Sequence, residues 1–226
     1  YPMSDAQKRL YIFEQMDETK RRYNIPYCFA LRGSFDVGRA NDAFAALITR
    51  HESLRTGFAV TDGEFRQIVH AEAAFDIARI AVSEGGIEKT LAAFVRPFDL
   101  TSPPLFRAAL AEDDAGNRWL LLDFHHTIAD GYSIDLLLKE FEQLYDGKTL
   151  PPVELQYRDY SAWLAKRDLS AQKRFWLETF EQPVPTEELP LDFRRRENGV
   201  HGGALLEYHP EGLTQETVDR FCAVNG

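Results

Sequence analysis

The chain has 226 residues, 44% of them hydrophobic, with 26 basic against 36 acidic side chains and a net charge of −10. This composition is typical of one globular domain or one large lobe, and its acidity argues against binding to nucleic acid or to an anionic membrane surface. Cys28 and Cys222 are too few for a disulfide scaffold or a zinc site. We therefore expect two small buried hydrophobes in a reducing cytoplasm.

The first third of the chain predicts two helices, a strand and a hairpin. Ser4 and Gln7 have the spacing of a capping box at the start of a first helix, and an extended segment follows around residues 27–31. Asp36 can cap a second helix, whose apolar residues recur on one face. The pair Asp62-Gly63 between apolar segments predicts a hairpin with a two-residue turn.

The middle of the chain predicts most of a covered sheet. A strand is expected over residues 75–82, a short helix over 87–95, and a second hairpin from 105–111 and 119–124. The outgoing arm of this hairpin is apolar on both faces, which places it inside the sheet. A strong amphipathic helix follows over Ser133–Asp146, with Gly147 in the position of a C′ residue.

Two aromatic-rich helices, over residues 157–166 and 171–180, end the regular pattern. Strands and helices mix without strict βαβ alternation, which indicates an α/β fold, an α+β two-layer sandwich. We predict a lobe over residues 1–180, a linker over 181–203 that contains prolines and paired glycines, and an incomplete second lobe over 204–226, with a short strand and the start of a helix.

The densest group of reactive side chains follows the last predicted strand, in residues 123–133. Adjacent strand residues point to opposite faces, so His125 and His126 cannot both bind one metal ion. One is expected to pack into the sheet and the other to face whatever crosses the end of the strand. Gly131 exposes backbone N–H groups that could face an anion or an oxyanion. Asp130 is either a helix N-cap or a buried carboxylate paired with an arginine.

The spacing His-His-x-x-x-Asp-Gly favours acyl transfer, because it puts an imidazole, a carboxylate and a glycine on one short loop. A second group lies at the end of the second helix, where two interpretations are open. Either Arg50 and His51 complement the helix C-terminus and Glu52 is solvated, or Arg55 reaches inward to hold Asp130. The residues alone favour the first interpretation.

Four ordered motifs resemble those of the condensation domain of nonribosomal peptide synthetases. They are Ser4-x-Ala6-Gln7-x-Arg9-Leu10-Tyr11, Arg50-His51-Glu52-x-Leu54-Arg55-Thr56-x-Phe58, His125-His126-x-x-x-Asp130-Gly131-x-Ser133 and Tyr157-x-Asp159-Tyr160-x-x-Trp163. The resemblance covers essentially the whole chain. The stretch from Phe98 to Arg107 also matches the family pattern.

The resemblance implies a chloramphenicol acetyltransferase-like fold, of which this chain is the N-terminal lobe of a two-lobed, V-shaped domain with a tunnel between the lobes. An upstream carrier protein presents an acyl or peptidyl thioester on a phosphopantetheine arm, and a downstream carrier protein presents an aminoacyl thioester. No cofactor is expected on the chain itself. An adenylation domain is expected in the same parent chain, and the isolated lobe is expected to be inactive.

The resemblance also implies a role for each site residue. His126 is expected to be the catalytic histidine that faces the tunnel, and His125 its structural neighbour. Asp130 is expected to be a structural carboxylate paired with Arg55, and Gly131 to line the path of the donor thioester. Arg50 is expected to give structural support.

Other readings of the same motifs remain open. An epimerization-type domain shares the histidine motif, and a non-catalytic module that recruits carrier proteins or tailoring enzymes shares the fold, although such modules usually have an eroded motif. A freestanding acyltransferase that uses coenzyme A needs only His126-x-x-x-Asp130-Gly131. Heterocyclisation domains replace the histidine pair with aspartates, which argues against that class.

Overall fold

The computed structural model describes residues 1–182 and 210–225 and the single positions 190, 206 and 208. The chain divides into two compact units, Tyr1–Ala171 and Gln172–Gly226. The helices are α1 (Asp5–Met16), α2 (Val37–Arg50), α3 (Gly86–Phe94), α4 (Gly131–Tyr145), α5 (Tyr157–Leu164), α6 (Ser170–Thr179) and α7 (Gln215–Asn225). The strands are β1 (Asn24–Leu31), β2 (Thr56–Thr61), β3 (Glu64–Val69), β4 (Ala78–Ala81), β5 (Phe106–Glu112) and β6 (Arg118–His125). A 3-10 turn, Glu52–Arg55, joins α2 to β2.

A four-stranded sheet in the order β1-β6-β5-β4 forms the centre of the first unit, with β6 antiparallel to both of its neighbours. The interior position predicted for β6 is confirmed. Leu122 and Phe124 belong to the larger core with the apolar faces of α2 and α4, whereas Leu121 packs on the opposite face with Phe94 of α3. The structure confirms the predicted α/β fold class.

A separate hairpin, β2 and β3, turns at Asp62 and Gly63, which both have positive φ angles of 54° and 77°. Positive φ at both central positions is the signature of the turn predicted there. Residues 1–3 lie along the outer edge of β3. The backbone N–H of Gln67 donates to the carbonyl oxygen of Tyr1 at 2.9 Å, and that of Met3 donates to Phe65 at 3.1 Å.

Three predicted helix caps are confirmed, although α4 begins at Gly131 rather than at the predicted Ser133. Ser4 and Gln7 form the capping box of α1, and the Asp36 side chain accepts a hydrogen bond from the backbone of Arg39 in the first turn of α2. Gly147 has a φ of 77°, and its N–H donates to Leu144 at the end of α4. The Lys148 N–H reaches one residue further back, to Gln143, which completes a Schellman motif.

Some expectations were wrong. The predicted strand over 75–82 shrinks to β4, because the backbone N–H of Ile77 donates to the Asn41 side chain instead of to a strand. Cys28 and Cys222 are exposed rather than buried.

The predicted division of the chain into a lobe, a linker and an incomplete second lobe depends largely on residues that the structure does not describe. Most of the predicted linker and the strand expected near residue 204 lie outside the described residues, so the division at 180 and 203 stays a prediction. Within the described ranges, no helix combines the length and apolar character needed to cross a membrane.

Candidate active site

A cleft of about 200 Å³ opens at the end of β6, within the first unit. Its wall combines residues of α1, the 3-10 turn, the β2–β3 hairpin, the loop after β6 and the first turns of α4 and α5. These residues include Gln7, Leu10, Ser53, Phe58, Val69, His126, Ala129, Asp130, Ser133 and Tyr157. All four sequence motifs therefore contribute to one cavity.

His126 is the first residue after β6 and lines this cleft. Its backbone N–H donates to the carbonyl oxygen of Tyr23 at 2.8 Å, which continues the pairing of β1 with β6 by one more bond. The residue is exposed, and its imidazole makes no hydrogen bond to any part of the chain that the structure describes. The backbone is fixed while both ring nitrogens remain available to a substrate.

His125 lies in the interior, on the opposite side of the strand, and is fully buried. Its Nδ1 accepts a hydrogen bond from the backbone N–H of Thr127 at 3.2 Å and lies 2.8 Å from the Thr127 hydroxyl. Burial lowers the pKa of His125 to about 4, so the ring is neutral near pH 7. The predicted separation of the two histidines, one inside and one facing the cleft, is what the structure shows.

Acidification is expected to destabilise the fold through His125. Its folded pKa lies below the ordinary value of 6.5, so the unfolded chain takes up a proton that the folded chain refuses. The stability that comes from the neutral His125 ring is fully present above pH 6.5 and is lost as the pH falls toward 4. When the pH falls from 7 to 5, the free energy of unfolding is expected to decrease in both proteins. The decrease is expected to be about 2 kcal/mol smaller in His125→Gln than in the wild type. Urea unfolding at both pH values measures this, and equal losses in the two proteins would contradict it.

Asp130 is the N-cap of α4. Its Oδ1 accepts hydrogen bonds from the Ser133 hydroxyl at 2.5 Å and the Ser133 backbone N–H at 2.8 Å. These bonds, the hydroxyl first, hold the pKa of this exposed carboxyl below its usual value. Of the two roles considered from the sequence, the structure shows the cap.

The expected pairing of Asp130 with Arg55 is wrong. Arg55 donates to the carbonyl oxygen of His70 at 2.6 Å, and its other terminal nitrogen lies 3.6 Å from Glu52. Glu52 precedes Arg55 by three residues on the same 3-10 turn, so this acid is held close by local geometry. The Nε atom of Arg158 also lies 2.9 Å from Glu52, which is therefore enclosed by two guanidinium groups rather than solvated.

Arg50 acts away from the cleft. Its Nε and Nη2 atoms donate to the two carboxylate oxygens of Glu140 on α4, at 3.0 and 3.1 Å. His51 reaches the same carboxylate through Nε2, at 2.5 Å. Arg50 and His51 thus connect the end of α2 to α4, which agrees with a supporting role for Arg50 rather than with the interpretation as a helix-terminal charge alone.

Replacing Asp130 with alanine is expected to cost about 1 kcal/mol of stability, because the cap bond to the backbone N–H of Ser133 is lost. Asp130→Asn is expected to be close to the wild type, since asparagine caps helices about equally well. Thermal or urea unfolding measures both variants, with Asp135→Ala on the exposed side of α4 as the control. A much larger loss in Asp130→Asn would instead indicate a partner that requires the charge.

Gly131 opens α4 beside this cap. A Cβ atom added there would have no heavy atom of the described residues within 4 Å, and its φ angle is not positive. The described part of the chain therefore does not itself require glycine at this position. A path for a substrate along this side of the helix stays a prediction.

The sequence interpretation missed several residues of the cleft. The sequence predicts no contact between Gln7 and the histidine loop, yet the Gln7 Nε2 lies 3.5 Å from the carbonyl oxygen of Thr127, in the loop that carries His126. The Ser4 hydroxyl lies 2.9 Å from the hydroxyl of Tyr157, which connects the start of α1 to α5. A signal for these contacts was present in the sequence, because Ser4, Gln7 and Tyr157 all belong to the quoted motifs.

Comparisons with known proteins identify similar sequences and a similar fold. The family model described as the condensation domain matches residues 1–225. Bacitracin synthase 2 of Bacillus licheniformis is 40% identical over 232 residues, which cover the whole chain but 9% of that protein. The chain thus spans less than a tenth of the curated relatives it matches first.

Two solved structures resemble the fold. The X-domain from teicoplanin biosynthesis, in its complex with OxyB, is 25% identical with a TM-score of 0.75, over 86% of this chain and 46% of that one. The condensation domain from the monacolin K polyketide synthase MokA is 23% identical with a TM-score of 0.72, over 88% and 48%. The chain thus corresponds to about half of each solved chain.

Proposed function

The chain belongs to the condensation-domain family of nonribosomal peptide synthetases, and we propose that it is the lobe that supplies the catalytic histidine for peptide-bond formation. The observation that carries the proposal is the exposed imidazole of His126 in the cleft, beside a neutral and fully buried His125. The substrates would be a donor acyl or peptidyl thioester and an acceptor aminoacyl thioester, each tethered to a carrier protein through a phosphopantetheine arm.

The reaction needs few groups from the protein. The neutral α-amine of the acceptor attacks the thioester carbonyl carbon, the new C–N bond forms, and the C–S bond breaks. The proton lost by the amine ends on the departing thiolate. A neutral imidazole at His126 can accept an amine N–H bond and thereby orient the attack, and it can stabilise the zwitterionic intermediate. In this scheme, backbone N–H groups near Gly131 would face the thioester.

The other assigned residues act on the frame of the site. His125 anchors the loop through Thr127, and Asp130 caps α4. Arg50 and Arg55 hold neighbouring elements without reaching the cleft residue His126. The phosphopantetheine arms are substrates in this scheme, and no resident cofactor is proposed.

The lobe would work together with a second lobe and with neighbouring domains. A second lobe would complete a tunnel around the cleft, and the isolated chain would then be inactive. Upstream and downstream carrier proteins and an adenylation domain in the same parent chain would supply the substrates, in the cytoplasm. The fraction of each solved chain that this lobe covers, about half, supports this reading.

A second candidate is a non-catalytic recruiting module, since the X-domain structure was solved as a complex with OxyB. The intact His125-His126-x-x-x-Asp130-Gly131 sequence favours the enzyme. An epimerization-type domain, which shares that sequence, would exchange the α-proton of a tethered peptide and form no new amide.

A reconstituted condensation assay tests the proposal. The parent synthetase, with a loaded donor carrier and a loaded acceptor carrier, is expected to produce an amide that mass spectrometry detects on the acceptor carrier. Reactions without one loaded carrier are the controls. Deuterium uptake at the donor α-carbon without amide would identify an epimerization-type domain, and carrier binding with neither reaction would identify a recruiting module. Either result would overturn the proposal.

A further inference from the structure

The carboxylate of Glu14 is an unexplained feature of α1. The residue is 1% exposed, and neither of its side-chain oxygens has a hydrogen-bond partner among the described residues. Buried carboxyl groups nearly always have partners, since an unpaired one carries its full desolvation cost. A hydrogen-bond donor close to the Glu14 carboxyl group is therefore expected.

The nearest candidate is the far side of the His125 ring. Its Nε2 lies 3.8 Å from Oε2 of Glu14 and also has no hydrogen-bond partner in the described part of the chain. The proton of a neutral His125 must sit on this nitrogen, because Nδ1 already accepts the backbone N–H of Thr127. Nε2 of His125 is thus a hydrogen-bond donor without a partner, and Oε2 of Glu14 is an acceptor without one.

Burial disfavours the charged forms of both side chains. Burial lowers the pKa of His125 to about 4, and burial, followed by the charge of Asp17, raises the pKa of Glu14. A small side-chain rotation would bring the two atoms from 3.8 Å to hydrogen-bonding distance. Because a neutral ring needs only an acceptor oxygen, a glutamine amide could take the place of the carboxyl group.

The same helix also reaches the loop that carries His126. Gln7 and Glu14 lie two turns apart on one face of α1, and the Gln7 amide nitrogen lies 3.5 Å from the carbonyl oxygen of Thr127. On the other side of the loop, the backbone N–H of Ile128 donates to the carbonyl oxygen of His125 at 3.1 Å. Fixing the His125 ring therefore also fixes the turn that begins at His126.

We infer that Glu14 is a positioning residue, which accepts the Nε2–H of His125 and thereby holds the loop that presents His126 to the cleft. The inference rests on the proposed function for its effect on turnover. The contact between Glu14 and His125 does not depend on the proposed function, because it concerns only two buried side chains.

Two variants and one control test the inference. Glu14→Gln keeps an acceptor oxygen, Glu14→Leu removes it, and Glu18→Gln changes an exposed carboxylate just beyond α1. In the parent synthetase, Glu14→Leu is expected to lower kcat about tenfold through misplacement of His126, with the KM for both loaded carriers unchanged. Glu14→Gln is expected to stay within about threefold of the wild type, and Glu18→Gln to equal it. Melting temperatures show that each variant is folded.

A spectroscopic measurement on the 226-residue chain separates this inference from the proposed function. With ¹⁵N-labelled histidine, the Nε2–H signal of His125 is expected to be shifted downfield and protected from exchange in the wild type and in Glu14→Gln. It is expected to lose both properties in Glu14→Leu, together with a change at the Thr127 amide. An unchanged His125 signal in Glu14→Leu, or a kcat for Glu14→Gln as low as that for Glu14→Leu, overturns the inference. Full turnover by His126→Ala would overturn the proposed function and leave the His125 signal as the test of the pair.

Discussion

His126→Ala is expected to reduce peptide-bond formation by about a hundredfold to ten-thousandfold in the parent synthetase, the range typical of a lost acid–base or orienting group. The side chain is exposed and bonds to nothing in the described residues, so its removal is expected to change stability by less than about 0.5 kcal/mol. The loss would therefore lie in the chemistry rather than in folding. Single-turnover formation of the amide from loaded carriers measures it directly.

His125→Ala is a comparison variant with a different expected defect, since it removes the adjacent buried ring. This variant removes a buried side chain and leaves the Thr127 backbone N–H without its acceptor. It is expected to lower stability by about 2 kcal/mol. A His126→Ala protein that retains near-normal turnover would contradict the assignment of His126.

His126→Asn separates the two possible roles of the imidazole. An asparagine oxygen can accept an amine N–H bond but cannot take up the proton. If orientation dominates, this variant retains much more activity than His126→Ala. Equal loss in both variants would show that proton transfer to the ring is required.

The second large effect is expected from Glu140→Gln, at the contact between α2 and α4. The carboxylate accepts two hydrogen bonds from Arg50 and lies 2.5 Å from Nε2 of His51, and the residue is 8% exposed. Removing its charge leaves the Arg50 guanidinium largely buried and uncompensated, which is expected to cost about 3 kcal/mol. Chemical unfolding at pH 7 measures the loss. Glu142→Gln, an exposed site on the same helix, is the control.

The pH dependence gives an independent check on Glu140. Burial raises the pKa of this carboxyl, but the hydrogen bonds from Arg50 and His51 outweigh it, so the folded pKa lies below the ordinary value of 4.5. Its stabilising contribution is therefore present above pH 4.5 and is lost as the pH falls through the folded pKa. The difference between wild type and Glu140→Gln is expected to shrink on acidification. A difference that is constant from pH 7 to pH 3 would contradict the ion pair.

Local features of the fold could be predicted from the sequence. The capping residues Ser4, Asp36 and Gly147 act on backbone groups within a few residues, so their chemistry can be recognised without tertiary structure. The interior position of β6 was predictable for another reason, since both of its faces are apolar.

The partner of Arg55 shows where sequence reasoning failed. Three acids, Glu52, Asp130 and Glu140, lie in or near the motifs, and only the folded chain shows which acid each arginine reaches. The 3-10 turn places Glu52 next to Arg55, whereas the Asp130 carboxylate accepts hydrogen bonds from Ser133 at the start of α4.

The proximity of Glu14 to His125 could not be predicted because the two residues are distant in the sequence. A charged residue two turns beyond Gln7, on the same face of α1, was a visible signal, since acids are rarely buried without a partner. The sequence could not show that the buried histidine at the end of β6 lies opposite that face.

Residues 1–3 cover the outer edge of β3 in the β2–β3 hairpin. By pairing with β3, they shield backbone donors and acceptors that another chain could otherwise recruit by strand addition. They also lead directly into the capping box of α1, the helix that supports the histidine loop. Removal of residues 1–3 would thus expose this edge of the hairpin to strand addition and weaken the support of the loop that carries His126.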